Sequence, residues 1–178
     1  MATKPAQEPG TTAYARALGR LARRDQSVEE IRRALRRAGH GQSETERAIA
    51  RLAAERYLDD GGFAARFARS RIARLGLGRN RVRHDLRARG VARATAEEGL
   101  KEALVEVSEA ETLEAVARRY WRQHKADPAP RRLQKLWAFL LRRGFPAALV
   151  GERLRKLWPR WADALEDLPP VDEETSRS

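Results

Sequence analysis

Three glycines, Gly39, Gly90 and Gly144, each close an arginine-rich stretch and each fall at the same point of a recurring apolar pattern. Four residues before them stand Leu35, Leu86 and Leu140, and eight before stand Ile31, Val82 and Leu136. Ten residues after them come Ile49, Leu100 and Leu154. The intervals are 51 residues (39 to 90) and 54 residues (90 to 144). A glycine that ends a 3.6-residue apolar period marks a helix stopped by a left-handed residue, a conformation that any Cβ penalises. Each register holds a helix ending at the glycine, one helix before it and one after. The chain therefore reads as nine helices in three tandem three-helix repeats, an all-α array that is elongated and free to curve. The repeats are expected at 11–57, 58–107 and 108–161, with disordered tails at 1–10 and, acidic, at 162–178. One repeat is too small to bury much of its own surface, so neighbours are expected to stack.

No segment alternates apolar and polar residues as a half-buried strand would. Helical spacing appears instead at Tyr14, Ala17, Leu18 and Leu21, at Leu113, Val116, Ala117 and Tyr120, and at Leu133, Leu136, Trp137 and Leu140. These stripes are core faces. Ser27–Glu30, Ser43–Glu46, Thr95–Glu98 and Ser108–Glu111 fit the capping box. Pro128 and Pro146 suit a first helical turn, where the missing N–H is no loss.

The formal charge of +12 calls for an anionic partner. It is concentrated: from Phe63 to Arg93 there are ten arginines against one aspartate, Asp85. With no cysteine there is no disulfide framework and no thiolate chemistry, and no apolar stretch is long enough for a membrane span. The expected setting is cytoplasmic and the expected state monomeric, because no self-complementary apolar face is evident.

Asp59 and Asp60 are adjacent carboxylates beside an apolar run, the one pattern that suggests catalysis. A two-metal site needs further converging carboxylates, and the basic segment supplies only Asp85. His40, His84 and His124 are isolated, with no second ligand at helical spacing, and neither a nucleophile motif nor a phosphate loop is present. The chain is expected to be no enzyme and to use no cofactor or metal. Asp60 is expected to cap a helix by accepting the Phe63 amide. Arg71 falls in the apolar arc of that helix, and a guanidinium facing a core needs a partner. Asp59, Asp60 and Arg71 are accordingly expected to form a structural junction.

The run YLDDGGFAARFARSR followed by GLGRNRVRHDLRARGV resembles the RecX family of bacterial regulatory proteins. The matching positions are Tyr57, Leu58, Asp59, Asp60, Phe63, Ala64, Arg71, Gly76, Arg89 and Gly90. Ala17, Leu21, Arg24, Ser27, Glu30 and Leu35 are similar to the family's first unit, and FLLRRGFPAALVGERLR to its third. The resemblance implies three-helix repeats that bind a RecA-type recombinase filament and restrain its ATPase and strand exchange, with single- or double-stranded DNA as a further contact.

Within the basic segment, Arg66 and Arg69 share the solvent face of one helix, Arg83 and Arg87 stand four apart on the next, and Arg93 follows the turn. These five are the candidate contacts to phosphate or acidic protein surface, as unpaired guanidinium forks. Asp85 is expected to neutralise Arg81 and Arg89 instead. Two functional readings remain: a non-enzymatic clamp on a recombinase filament, and a non-sequence-specific DNA-binding protein built on basic helix triplets.

Overall fold

The computed structural model describes residues 12–159. The expected tails at 1–10 and 162–178 lie outside the described residues. Within these bounds all regular structure is helical: α1 (Ala13–Leu21), α2 (Val28–Arg37), α3 (Gln42–Ala54), α4 (Asp60–Leu75), α5 (Arg79–Ala88), α6 (Arg93–Glu106), α7 (Glu109–Gln123), α8 (Ala129–Arg142) and α9 (Ala147–Leu157).

The middle helices α2, α5 and α8 stop in the same way. Gly39, Gly90 and Gly144 take φ of 88°, 81° and 85°. The next N–H, of His40, Val91 or Phe145, turns back to the carbonyl of Leu35, Leu86 or Leu140, at 3.2 Å in all three. This is the Schellman closure, which satisfies an otherwise orphaned helical carbonyl. In each triplet the next helix starts three residues beyond the glycine, at Gln42, Arg93 and Ala147.

That turn corrects two of the four expected capping boxes. Ser43 already lies inside α3, whose N-cap is Gly41, and Thr95 lies inside α6. Glu46 is held by Arg32 at 2.7 and 3.0 Å and does not return to an N-cap. The box at α2 is complete, with Ser27 accepting the Glu30 amide and Glu30 accepting the Ser27 amide, both at 3.1 Å. At α7, Ser108 accepts the Glu111 amide at 3.2 Å. Pro128 and Pro146 are N-caps, one residue earlier than expected.

Packing gathers the described residues into two compact units. The first runs to Arg66 and adds Leu86–Gly99; the second takes Phe67–Asp85 and continues from Leu100. Helices α4, α5 and α6 thus contribute to both. In the first unit α1, α2 and α3 pack pairwise around Ala13, Ala17, Ile31, Leu35, Ile49, Leu52 and Leu58. There α4 and α6 approach so closely that a Cβ on Gly99 would lie 2.6 Å from the Ala64 methyl. The second unit is centred on Leu113, Ala117, Leu133, Leu136, Leu140, Phe145, Val150 and Leu154, where α7, α8 and α9 meet.

Each unit also contains one interlock between middle helices. In the first, the start of α2 meets the end of α5: the Ser27 hydroxyl donates to the Arg89 carbonyl at 2.6 Å, and Arg89 Nη1 donates to Glu30 at 2.6 Å. In the second, the start of α5 meets the end of α8. The Gly78 amide donates to the Arg143 carbonyl at 2.9 Å and the Asn80 amide to the Gly144 carbonyl at 3.0 Å. Arg143 Nη1 returns to the carbonyls of Leu75 and Gly76 at 2.6 and 2.9 Å. The N-cap position of one middle helix thus addresses, in both interlocks, the carbonyl just before the next repeat's terminal glycine.

Candidate partner-binding surface

The Phe63–Arg93 segment is far less free than its composition suggests. In the first unit Arg66 Nε donates to Asp25 at 2.7 Å, while Arg89 is committed to the interlock. In the second, Arg69 binds Glu106 at 2.5 Å, with Glu102 at 3.8 Å. Arg79 donates its Nε and its backbone N–H to Glu109 at 2.5 and 2.6 Å. Arg81 pairs with Asp85 at 3.0 Å, and Arg83 Nη1 donates to Asn80 at 2.8 Å. The premise that Arg66, Arg69 and Arg83 are unpaired forks is therefore corrected. Asp85 pairs with Arg81 as expected, and the Arg89 head binds Glu30.

Arg87 and Arg93, in the first unit, and Arg74, in the second, are exposed, and their side chains form no ion pair or hydrogen bond among the described residues. Arg93 opens α6, where a cation opposes the positive end of the helix dipole. A bound anion there would relieve both charges. Glu109 carries the opposite case: it is 4% exposed, yet as partner to the Arg79 head and amide it holds the start of α5 against α7.

The paired aspartates are structural in a way the sequence did not specify. Asp59, not Asp60, holds the N-cap position of α4: its carbonyl accepts the Phe63 amide at 2.9 Å and its Oδ1 the Gly61 amide at 3.0 Å. Asp60 reaches back to the first triplet and accepts the Val28 amide, the first of α2, at 2.9 Å. Burial raises the Asp60 carboxyl above its usual range, opposed by that amide and reinforced by the Asp59 charge. Arg71 reaches neither aspartate. Its guanidinium lies 4.7 Å from the Phe67 ring centroid, one helical turn away, so a cation–π contact replaces the expected ion pair. Among the described residues no group of three or more His, Asp or Glu side chains is placed to hold a metal.

A second basic surface, outside the segment singled out by composition, lies on α7. Arg118, Arg119 and Arg122 are exposed on its C-terminal half, and Lys125 comes just after it. Arg118 has only Glu114 at 3.9 Å. Arg119, Arg122 and Lys125 form no ion pair among the described residues. The signal was legible in ARRYWRQHK, where four cations run with no acid among them. At the neighbouring turn Arg132 lies 4.3 Å from the Trp121 ring centroid and donates to the carbonyls of Trp121 and Asp127. Trp158 packs on Trp121 with ring centroids 4.6 Å apart.

The RecX family's first, second and third three-helix domains match residues 13–52, 59–100 and 108–154 in order. The regulatory protein RecX of Salmonella arizonae is 33% identical over 172 residues, covering 87% of this chain and 97% of the relative. That of Salmonella typhimurium is 33% identical over 168 residues, covering 85% and 95%. The crystal structure of RecX from Lactobacillus salivarius superposes with a TM-score of 0.71 at 19% identity, over 82% of this chain and 94% of that one. A crystal structure of regulatory protein RecX gives 0.68 at 26% identity, over 77% and 67%.

Proposed function

The chain belongs to the RecX family of regulatory proteins, with the three helical domains of that family in order along it, and from that membership we propose that it is a non-enzymatic regulator of a RecA-type recombinase. It binds the recombinase–DNA filament and lowers its ATPase and strand-exchange activity, in the setting of recombination and DNA repair. The observation that carries this reading is the full set of three domains, supported by near-complete coverage of relatives named regulatory protein RecX. The paired aspartates, the chain's best candidate for catalysis, are used in helix starts, which fits a binding role.

The contacts proposed for the partner are Arg87 and Arg93, with Arg74 added by their shared exposure. Arg66, Arg69 and Arg83 contribute only where the partner outcompetes their internal bonds. Direct binding of single- or double-stranded DNA is the second reading, favoured by the unpaired cations on α7. The test adds purified protein to a recombinase assembled on single-stranded DNA and follows ATP hydrolysis. Inhibition at substoichiometric protein supports the regulator. Inhibition only once naked DNA would be coated, with a steep salt dependence, supports DNA binding instead.

A further inference from the structure

Among the described residues every left-handed backbone position but one is a glycine. The exception is Arg56, with φ 60°, beside φ of 88°, 61°, 81° and 85° at Gly39, Gly76, Gly90 and Gly144. Arg56 closes α3 as Gly39 closes α2. Its N–H donates to the Ala53 carbonyl at 3.0 Å, and the next N–H, of Tyr57, returns to the Leu52 carbonyl at 2.8 Å. This closure needs a left-handed residue but no side chain, so glycine would serve it without the steric penalty that a Cβ brings. Asn and Asp tolerate the conformation through short polar side chains, whereas a long arginine has no such local compensation. The Arg56 side chain returns nothing to the fold: it is exposed and forms no ion pair or hydrogen bond among the described residues. Backbone strain kept without a local return is characteristic of binding and other functional positions. Tyr57, the next residue, is 55% exposed. The pair is held firmly, because Leu58 beside it is buried and Asp59 caps α4.

The charges of this corner decide what it fits. Arg51 is committed, donating to Glu55 at 2.8 Å and lying 4.1 Å from the Tyr14 ring centroid. Glu55 also accepts from the Tyr14 hydroxyl. That bond is the main reason the Tyr14 hydroxyl is raised above its usual range, and the Tyr57 hydroxyl nearby adds to it. Two tyrosines thus share the corner with the uncommitted Arg56 guanidinium, which the exposed residues Glu55 and Asp59 flank in sequence. A phosphate backbone, bound through several cations at once, would meet those two carboxylates as well. A protein surface suits the corner better: a carboxylate needs one guanidinium fork, and Tyr and Arg are enriched among the residues that dominate interface energetics. We propose that Arg56 and Tyr57 form a protein-docking corner, in which Arg56 pairs with a carboxylate of the partner and the Tyr57 ring covers the apolar surface beside it. The partner's identity rests on the recombinase reading; the contact is to the recombinase protein and not to the DNA it coats.

The test uses the full chain with R56G and R56N, which both remove the guanidinium and relieve the strain; Asn also keeps the turn less free than Gly does. Three quantities are read: thermal melting, half-inhibition of ATP hydrolysis by a recombinase assembled on single-stranded DNA, and binding to the naked oligonucleotide. R56G is expected to melt about 2–4 °C higher than the parent. Both variants should need roughly tenfold more protein for half-inhibition, with oligonucleotide binding unchanged. Y57A should show the same loss of inhibition at unchanged melting. Parental inhibition by the Arg56 variants or by Y57A overturns the proposal, as does melting that fails to rise in R56G. Equal losses of inhibition and of oligonucleotide binding overturn it too, by assigning the corner to nucleic acid. A parent chain that does not inhibit rejects the recombinase reading itself and this contact with it, whereas variants that inhibit as well as an active parent reject the contact alone.

Discussion

The hydroxyl of Ser27 donates to the carbonyl of Arg89, sixty-two residues away, at 2.6 Å, while accepting the amide of Glu30 at 3.1 Å. One fully buried side chain thus starts α2 and stops α5. Ser27→Ala leaves a helical amide and a C-terminal carbonyl without partners. The expected loss is ~2–3 kcal/mol, the sum of a lost N-cap and one buried unsatisfied acceptor. Urea unfolding measures it, and a loss below ~0.5 kcal/mol contradicts the dual role.

The glycines separate into classes with different costs. A Cβ on Gly144 would lie 2.3 Å from the Arg81 backbone nitrogen, in a residue with φ 85°. Gly144→Ala is expected to cost ~3 kcal/mol or more, combining left-handed strain with displaced backbone. At Gly90, with φ 81°, the obstruction is the Cβ and Cγ of Glu29 at 2.5 and 2.4 Å, and a Cβ is fixed to its backbone, so the same change also forces a backbone shift and is expected to cost a similar amount. Gly19 meets nothing within 4 Å inside α1, and Gly19→Ala should stabilise by ~0.5–1 kcal/mol. Denaturant midpoints of the three variants rank them.

Asp60 gives a pH signature opposite in sign to most carboxylates. Its folded-state pKa is raised, so the folded chain binds the proton more readily than the unfolded one. Stability from this group is therefore present at acid pH and is lost as pH rises from the ordinary aspartate range through the raised value. Asp60→Asn keeps an acceptor for the Val28 amide without a buried charge. It should melt no lower than the parent at about pH 7, with any advantage shrinking toward about pH 4, near the ordinary aspartate value. Asp60→Ala should cost ~1 kcal/mol at either pH. Melting curves of the two variants at both pH values decide this.

The exposed and the committed arginines should respond differently. Replacing Arg87 and Arg93 by alanine is expected to weaken filament inhibition roughly tenfold or more, since a hydrogen bond to a charged group is worth ~1.5–3 kcal/mol. Melting should be unchanged. Arg66→Ala should change stability by under ~1 kcal/mol, because its pair with Asp25 is solvent-exposed. Its effect on inhibition should be smaller than that of the Arg87 and Arg93 pair. The reverse order, measured as concentration for half-inhibition of ATP hydrolysis, rejects this assignment.

Helix number and the three stop points were legible because both are local properties. A Gly after an apolar 3.6-residue period leaves the backbone few alternatives, and all three such turns closed alike. Helix starts were less legible, because contacts outside the local window help decide them: the turn after Gly39 puts the N-cap of α3 at Gly41, and Glu46 pairs with Arg32, fourteen residues away. The arginine surface was least legible for the same reason. The acids that neutralise Arg66, Arg69 and Arg79 come from Asp25, Glu106 and Glu109, forty-one, thirty-seven and thirty residues distant. A charge count within a window sees only the cations. Arg71 shows the converse: a helical projection placed it correctly against apolar neighbours, but its answer lay one turn away in the Phe67 ring, not in an aspartate.

The bonds from Gly78 and Asn80 to Arg143 and Gly144 bear on how the molecule can be taken apart. A fragment cut after Val107 would keep two complete helix triplets by sequence. It would also strip both acceptors from the start of α5, remove Glu109 from Arg79, and uncover the face where Gly78 lies against Phe145. Removal of the first triplet would likewise orphan the Arg89 carbonyl. The unit of inheritance here is the triplet, but the unit of folding spans the joints, so dissection by repeat should yield sticky, partly melted pieces rather than working modules.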